Sequence, residues 1–340
     1  MHESDATVSE LRKDPIVRRW VIMAPERATR PIEVTDLPHL VSSMDDPFAE
    51  GRESTTTAEL LAFRSANSPA NGPGWDVRVL PNKYPALSRD ASLVESTDSL
   101  YQSLSGVGAH EVIVECPQNE GNISRLSHEN IRKILVAYRD RIADLKRDPQ
   151  LAHATIFKNC GAQAGASIYH AHSQLLATPY VPSLIEEELA AAKAHQAANG
   201  RNIFDDIIAR ELADGRRVVV DSPQFLAFCP YASRFTYETW IVPRQPESHY
   251  EQITAEAIVE LASVLKSVLH RLEVALNDPP YNYVLHTAPL QQSHLPHYRW
   301  HFEIYPRLTR VAGYEWGSGC YINEVLPEQA AQRLREVSEG

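Results

Sequence analysis

Ser127-His-Glu-Asn-Ile-Arg-Lys-Ile-Leu-Val-Ala-Tyr-Arg-Asp-Arg-Ile-Ala-Asp-Leu-Lys146 places Ile131, Ile134, Leu135, Tyr138, Ile142 and Leu145 at the three-and-four spacing of a helix with one buried face. Ser127 supplies a hydroxyl where such a helix needs an N-cap. A strand-like run, His110-Glu-Val-Ile-Val-Glu-Cys116, precedes it and ends beside a proline, and Ala154-Thr-Ile-Phe157 follows it. The same series then recurs. Tyr237-Glu-Thr-Trp-Ile-Val242 leads to a second helical pattern, Thr254 to Leu276 with Ile258, Leu261, Leu265 and Leu272, and then to Tyr281-Asn-Tyr-Val-Leu285. Glu111 and Glu238, Ser127 and Thr254, Glu129 and Glu256, and Ile131 and Ile258 are all 127 residues apart, which signals a duplication. Two copies are too few for a solenoid, and each holds strands enough for a small antiparallel sheet with a packed helix. The expected fold class is therefore α+β, a pseudo-dimer of two such units, with residues 1–182 as one half and 183–340 as the other. Ser183 to Gly200, rich in Glu, Ala and Lys, reads as a surface helix joining them.

Carried forward, the offset sets His170-Ala-His172-Ser-Gln174 against His297-Tyr-Arg299-Trp-His301. The middle histidine of one copy is an arginine in the other, so one active site is expected, in the N-terminal half. The segment Asn159-Cys-Gly-Ala-Gln-Ala-Gly-Ala-Ser-Ile-Tyr-His-Ala-His-Ser-Gln174 joins a loop of small residues to an alternating strand, on which His170, His172 and Gln174 would share a face. The small side chains let a phosphate approach backbone N–H groups, and Ser167 adds a hydroxyl donor. A neutral imidazole is a competent nucleophile towards phosphorus, and the phosphoramidate it forms can pass its group on. The attacking nitrogen must be unprotonated, so the other should donate to a carbonyl that fixes the tautomer. Gln174 can donate to a phosphoryl oxygen without activating water, which suits a transferase better than a hydrolase. An isolated H-x-H is also compatible with a metal pair or an incidental exposed pair. Neither G-x-x-x-x-G-K-[ST], nor a strand-coupled G-x-G-x-x-G, nor H-E-x-x-H occurs.

With 340 residues, 43% of them hydrophobic and 23% charged, the chain can bury a sizeable core and has a globular make-up. A formal net charge of -11, spread along the whole length, repels nucleic-acid backbones and anionic lipid. A small phosphorylated substrate is the expectation, with no nucleic-acid or membrane partner. No apolar run approaches the roughly 20 residues of a membrane span. Cys116, Cys160, Cys229 and Cys320 form no C-x-x-C pair, so neither a disulfide scaffold nor a thiolate zinc cluster is signalled. Together with the polar start, Met1-His-Glu-Ser-Asp5, this points to a reducing, cytoplasmic compartment.

Asn159 to Gln174 resembles the active-site segment of the family of galactose-1-phosphate uridylyltransferase and ADP-glucose phosphorylase, in the histidine triad superfamily. The likeness covers nearly the whole chain. Leu11-Arg-Lys-Asp-Pro-Ile-Val-Arg-Arg-Trp-Val-Ile22 and Arg27-Ala-Thr-Arg30-Pro31 resemble the family's N-terminus, Leu80-Pro-Asn82-Lys-Tyr-Pro-Ala-Leu87 its nucleoside segment, and Gly313-Tyr-Glu-Trp-Gly-Ser-Gly-Cys-Tyr-Ile-Asn323 its C-terminal sugar-phosphate loop. The resemblance implies that His172 is the nucleophile, that Gln174 orients the transferred phosphoryl group, and that Ser167 and Asn159 flank the phosphates. It also implies that Arg27, Arg30 and Asn82 contact nucleotide, that Tyr314 and Glu315 lie near the sugar, and that the chain forms a homodimer with each site completed across the interface.

The departures from the family concern metal. Many relatives bind zinc with C-P-x-C, a distant histidine and the first histidine of the active-site motif, where this chain has Asp46 and Ala49, Asn119 and His170. A second zinc site in the ADP-glucose phosphorylase branch corresponds to Asn202, Asp205, His249 and Arg299. One histidine with one carboxylate binds zinc poorly, so no structural zinc is expected. Glu188, His286, His301 and Glu303 resemble positions that hold iron or zinc in some uridylyltransferases and remain the weaker metal candidates. The expected reaction is uridylyl transfer from UDP-glucose to a hexose 1-phosphate. The alternative is adenylyl transfer from ADP-glucose to phosphate, towards which Asn277-Asp-Pro-Pro-Tyr-Asn-Tyr283 leans. A non-catalytic nucleotide-binding protein and a phosphohydrolase using His170 and His172 as metal ligands are the competing classes.

Overall fold

The computed structural model describes residues 9–25, 27 and 46–338, so Arg30 lies outside the described residues. The N-terminal half contributes β1 (Glu10–Lys13), β2 (Trp20–Met23), β3 (Leu61–Arg64), β4 (Trp75–Pro81), β5 (Glu95–Thr97), β6 (Gln102–Leu104), β7 (Ala109–Val114), α1 (His128–Leu145), β8 (His153–Cys160) and β9 (His172–Thr178). The C-terminal half contributes α2 (Ser183–Asn199), α3 (Ile203–Asp214), β10 (Val218–Asp221), β11 (Phe225–Phe228), β12 (Thr239–Pro243), α4 (Ala255–Leu276), β13 (Tyr281–His286), β14 (His301–Pro306), α5 (Gly313–Ser318), β15 (Tyr321–Asn323) and α6 (Pro327–Arg335).

Ten of the strands form one antiparallel sheet in the order β10-β11-β12-β14-β13-β8-β9-β7-β4-β3. Read outward from the central β8–β13 pair, the two five-stranded halves have matching orders. Within that pair Phe157 lies directly opposite Val284, and these residues are themselves 127 apart, so the pseudo-two-fold axis passes between them. The α+β class therefore holds, with the two units fused into a single continuous sheet. The repeated helices also start alike: Ser127 accepts from the N–H of Asn130, and Thr254 accepts from the N–H of Ala257. Each cap stabilises its helix by about 1 kcal/mol.

The helices explain which sheet face is free. α1 and α4 lay Ile131, Leu135, Ile142, Ile258, Leu261 and Leu265 against Ile113, Ile156, Leu175, Ile241 and Ile304 in the main core. On the opposite face α2 and α3 cover only the C-terminal half, packing Ala192, Ile203, Phe204 and Ile208 on Leu226, Phe228 and Trp240. The N-terminal half of that face carries His172 and Gln174, with only a small apolar group of Trp75, Leu80, Val112, Val114 and Phe48. β1, β2 and β15 form a separate three-stranded sheet, with β2 parallel to β15.

Three local expectations change. The strand expected from Tyr237 begins at Thr239, because Tyr237 has a φ of 62°, outside the extended range. The histidine strand begins at His172, because the His170 side chain is tied down elsewhere. The joining helix α2 is not purely a surface element, since Glu188 is buried against His286 and Tyr298.

Candidate active site

The loop between β8 and β9 is built on two glycines with positive φ. Gly161 (φ 84°) lies so close to Pro280 that a Cβ would approach it to 2.8 Å, and Gly165 (φ 87°) ends a single 3-10 turn over Ala162–Ala164. Gly161 O accepts from the N–H groups of Ala164 (3.1 Å) and Ala166 (3.2 Å), which folds the loop back on itself. Among the described residues, the next two N–H groups, of Ser167 and Ile168, have no acceptor, and Ser167 is exposed. Such a turn presents donors outward, where an anion can meet them.

His172 opens β9 beneath this loop. Its Nδ1–H donates to the carbonyl oxygen of His170 at 2.8 Å, so Nε2 is the unprotonated nitrogen, and it has no partner among the described residues. Phe48 packs on the ring, with centroids 5.4 Å apart. Burial, helped by the ammonium of Lys158, holds the imidazole below its usual 6.5, against the opposing pull of the His170 carbonyl. Lys158 is itself buried, donates to His172 O at 3.1 Å and pairs with Glu115. Glu115 in turn accepts from Tyr138 and from Tyr283, which belongs to the other half of the sheet.

His170 is held by other groups. Its Nδ1 is 2.7 Å from Asp46 Oδ2, and its Nε2 is 2.6 Å from the Cys116 carbonyl. Asn119 donates to the same Asp46 oxygen. Burial alone would raise the Asp46 carboxyl, yet the His170, Phe48 N–H and Asn119 contacts outweigh it and lower the pKa. Three of the family's zinc positions are thus joined by hydrogen bonds. Both ring nitrogens of His170 are engaged with oxygen, which leaves neither for a metal shared with His172.

Gln174 follows His172 on the same face of β9. Its Oε1 lies 2.8 Å from His110 Nε2 on β7, while Asn82 Nδ2 approaches that nitrogen to 3.2 Å. On β8, Asn159 Oδ1 accepts from Asn282 of β13 at 2.8 Å, and Asn282 also donates to Ala164 O in the loop. The fold therefore brings His172, Gln174, Asn159, Ser167 and Asn82 to one face and one loop. Arg27, Tyr314 and Glu315 belong to other elements: Arg27 follows β2, which runs beside β15, and lies 3.8 Å from Glu324, while Tyr314 and Glu315 sit on α5, which packs on β15. Among the described residues no hydrogen bond links that group to His172. Sequence reasoning missed His110, Lys158, Phe48 and Asn282. The signal it could have used for His110 was alternation, since His110, Val112 and Val114 share a face of β7 and Val112 and Val114 lie opposite Gln174 and His172.

The pseudo-equivalent positions of Asn159, His172 and Gln174 are His286, Arg299 and His301. Arg299 pairs with Asp205 and donates to Pro243 O at 3.0 Å. Asn202 caps α3 and reaches Pro296 O, and His249 contacts Ser248 and Pro289 O. His286 and His301 join Glu188 and Glu303 in a buried group whose candidate ligand atoms all lie within 4.8 Å of one another. Two imidazoles and two carboxylates suit a divalent cation, and His301 Nε2 is buried without a hydrogen-bond partner among the described residues. The group is also balanced as it stands. Burial would lower the His286 pKa, but Glu188 and Glu303 outweigh it and raise it to about 9, and Arg234 donates to Glu303 at 2.7 Å. Any ion held here would be structural, since α2 and α3 cover this half of the sheet.

Comparison with known proteins gives a consistent picture. The family model for the N-terminal domain of galactose-1-phosphate uridyl transferase matches residues 1–182, and that for its C-terminal domain matches residues 188–340. The chain is 37% identical to an ADP-glucose phosphorylase of Arabidopsis thaliana over 97% of its own length and 93% of that protein. It is 26% identical to a galactose-1-phosphate uridylyltransferase of Thermotoga maritima, over 96% and 98% of the two chains. A crystal structure of an Arabidopsis thaliana ADP-glucose phosphorylase with bound ADP-glucose superposes with a TM-score of 0.83 at 36% identity, covering 98% of this chain and all of that one.

Proposed function

This chain belongs to the galactose-1-phosphate uridylyltransferase family of enzymes, and we propose that it moves a nucleoside monophosphate from a nucleotide sugar to a phosphorylated acceptor through a covalent bond to His172 Nε2. One observation carries this reading. The Nδ1–H bond to the His170 carbonyl leaves Nε2 as the unprotonated ring nitrogen with its lone pair free. Nε2 attacks the α-phosphorus, the bond from phosphorus to the sugar-phosphate oxygen breaks, and that oxygen leaves with its electron pair. The ring acquires positive charge as the N–P bond forms, and the His170 carbonyl, already accepting from Nδ1–H, stabilises it. No proton has to move, because a phosphate leaving group with a second pKa of about 6 departs as an anion. The acceptor phosphate then attacks phosphorus from solvent and releases Nε2. A glutamine suits this cycle, since Gln174 can hold a phosphoryl oxygen yet cannot act as a base towards water.

ADP-glucose is the donor we favour, with inorganic phosphate as acceptor and ADP and glucose 1-phosphate as products. This reverses the order expected from sequence, where uridylyl transfer came first. The reversal rests on 37% identity to the Arabidopsis phosphorylase against 26% to the Thermotoga uridylyltransferase, together with the TM-score of 0.83. Initial rates with ADP-glucose plus phosphate, set against UDP-glucose plus galactose 1-phosphate, test it. A higher kcat/KM for the uridylyl pair would return the assignment to the transferase proper. A non-catalytic nucleotide-binding role has no need of an imidazole poised in this tautomer.

Two coarser features accompany the proposal. We read the enzyme as a homodimer, a state supported by Tyr314 and Trp316 of α5, which are 51% and 77% exposed. We read its compartment as the cytoplasm, in keeping with four free thiols. Among the described residues no helix is long and apolar enough to cross a membrane.

A further inference from the structure

Gln174 carries a carboxamide with two unlike ends, and only its NH2 end can donate to a phosphoryl oxygen. Nothing in β9 decides which end faces the nucleophile. We propose that His110 decides it: this histidine, outside the nucleophile strand, is a positioning residue that holds the Gln174 oxygen and so turns the NH2 group towards the transferred phosphoryl group. The proposal rests on the reading of His172 as a nucleotidyl carrier.

The argument is one of hydrogen-bond direction. The backbone N–H of Ala86 meets His110 Nδ1 at 3.1 Å, and a backbone N–H can only donate. Nδ1 is therefore the acceptor and Nε2 carries the ring proton. Two groups lie near that proton, Gln174 Oε1 at 2.8 Å and Asn82 Nδ2 at 3.2 Å. The Asn82 carboxamide is already oriented, because its Oδ1 accepts from Tyr84 N–H at 2.8 Å, so its nitrogen is a donor and cannot receive the His110 proton. Gln174 Oε1 receives it. The Gln174 NH2 and the Asn82 NH2 are both left to donate elsewhere, and neither has another partner among the described residues. A single ring thus converts the fixed direction of the Ala86 N–H into a fixed direction for a side-chain amide across the β7–β9 pair. Ala86 itself lies in the segment Asn82–Leu87, so the group that holds nucleoside in the proposed reading also sets the group that holds phosphoryl.

The test uses full-length enzyme in three forms: wild type, His110→Leu, which removes the donor, and His110→Gln, whose amide nitrogen can replace Nε2–H. Single-turnover formation of the AMP adduct from ADP-glucose should slow roughly 10- to 100-fold in His110→Leu, less than the roughly 100- to 1,000-fold of removing a preorganised donor outright because the Gln174 amide is misdirected and not absent, with the donor KM within about threefold. His110→Gln should recover most of that rate. A rise in KM with kcat unchanged, or equal loss in both variants, would overturn the proposal in favour of a packing role. The tautomer is read independently by long-range proton–nitrogen NMR of 15N-histidine enzyme, with His110 assigned from the His110→Leu spectrum. A proton on Nε2 is expected, and a proton on Nδ1 refutes the proposal whatever the kinetics. If wild type forms no adduct at all, the covalent reading fails while the NMR result still decides the orientation of Gln174.

Discussion

His172 Nδ1 lies 2.8 Å from the carbonyl oxygen of His170, two residues earlier in the chain, and that contact commits the opposite ring nitrogen to the site. It also fixes a pH dependence. In the proposed reaction the attacking form is the neutral ring, and burial holds its pKa below the usual 6.5, so the neutral form persists to lower pH than in a free imidazole. Adduct formation should be flat from pH 8 down to about 6.5 and fall only below it as Nε2 is protonated. Single-turnover rates measured across this range check the sign, and an inflection above 6.5 would contradict it.

Lys158 joins the His172 backbone to a buried acid, Glu115. Replacing it with methionine keeps most of the side-chain volume but leaves Glu115 as an unpaired buried charge. The loss expected in a denaturant titration is about 3–5 kcal/mol. Adding Glu115→Gln should restore a large part of it, because the remaining groups around Tyr138 and Tyr283 are hydroxyls that an amide can satisfy.

The acid–histidine group of the C-terminal half gives a metal prediction. Glu188 and Glu303 are matched by His286 and Arg234 without any cation. Dialysis against a strong chelator should therefore leave both the thermal midpoint and adduct formation unchanged. Elemental analysis before and after dialysis checks this. A drop of several degrees together with loss of one equivalent of metal would instead make these four residues ion ligands.

Asn282 reaches across the central strand pair to orient Asn159 and to hold Ala164 O. Aspartate in its place has the same shape but cannot donate, so the Asn159 amide loses its fixed direction and the loop loses a tether. Asn282→Asp is expected to lower kcat roughly tenfold or more, with a stability change too small to explain it. Unchanged kcat would mean that the C-terminal half contributes no orientation to the site.

Much of the architecture was legible because the duplication repeats particular residues. The 127-residue offset read from Ser127 and Thr254 reappears as two matching caps and as Phe157 facing Val284. The loop of small residues before His172 was equally plain, since few other purposes explain glycines and alanines leading into a polar strand. What the sequence concealed was long-range pairing. His170 is held by Asp46 from 124 positions away, a neighbourhood that only the family's zinc positions suggested, and Gln174 by His110, which reads in isolation as the first residue of an ordinary strand. Glu188 was set beside His286 only by the family resemblance, because nothing local to Ser183–Asn199 announces the histidine beneath it. The placement of Arg27 beside Glu324 depends on β2 running parallel to β15, where Val21 pairs with Tyr321 from the other end of the chain, a register no local pattern encodes.

The most direct test is the intact mass of chelator-treated enzyme after incubation with ADP-glucose and, separately, with UDP-glucose, beside a His172→Gly variant. The account predicts a gain of one AMP in the wild type, discharged when inorganic phosphate is added, and no gain in the variant. Turnover of ADP-glucose with no mass gain in the wild type, or an adduct that persists in His172→Gly, would contradict it.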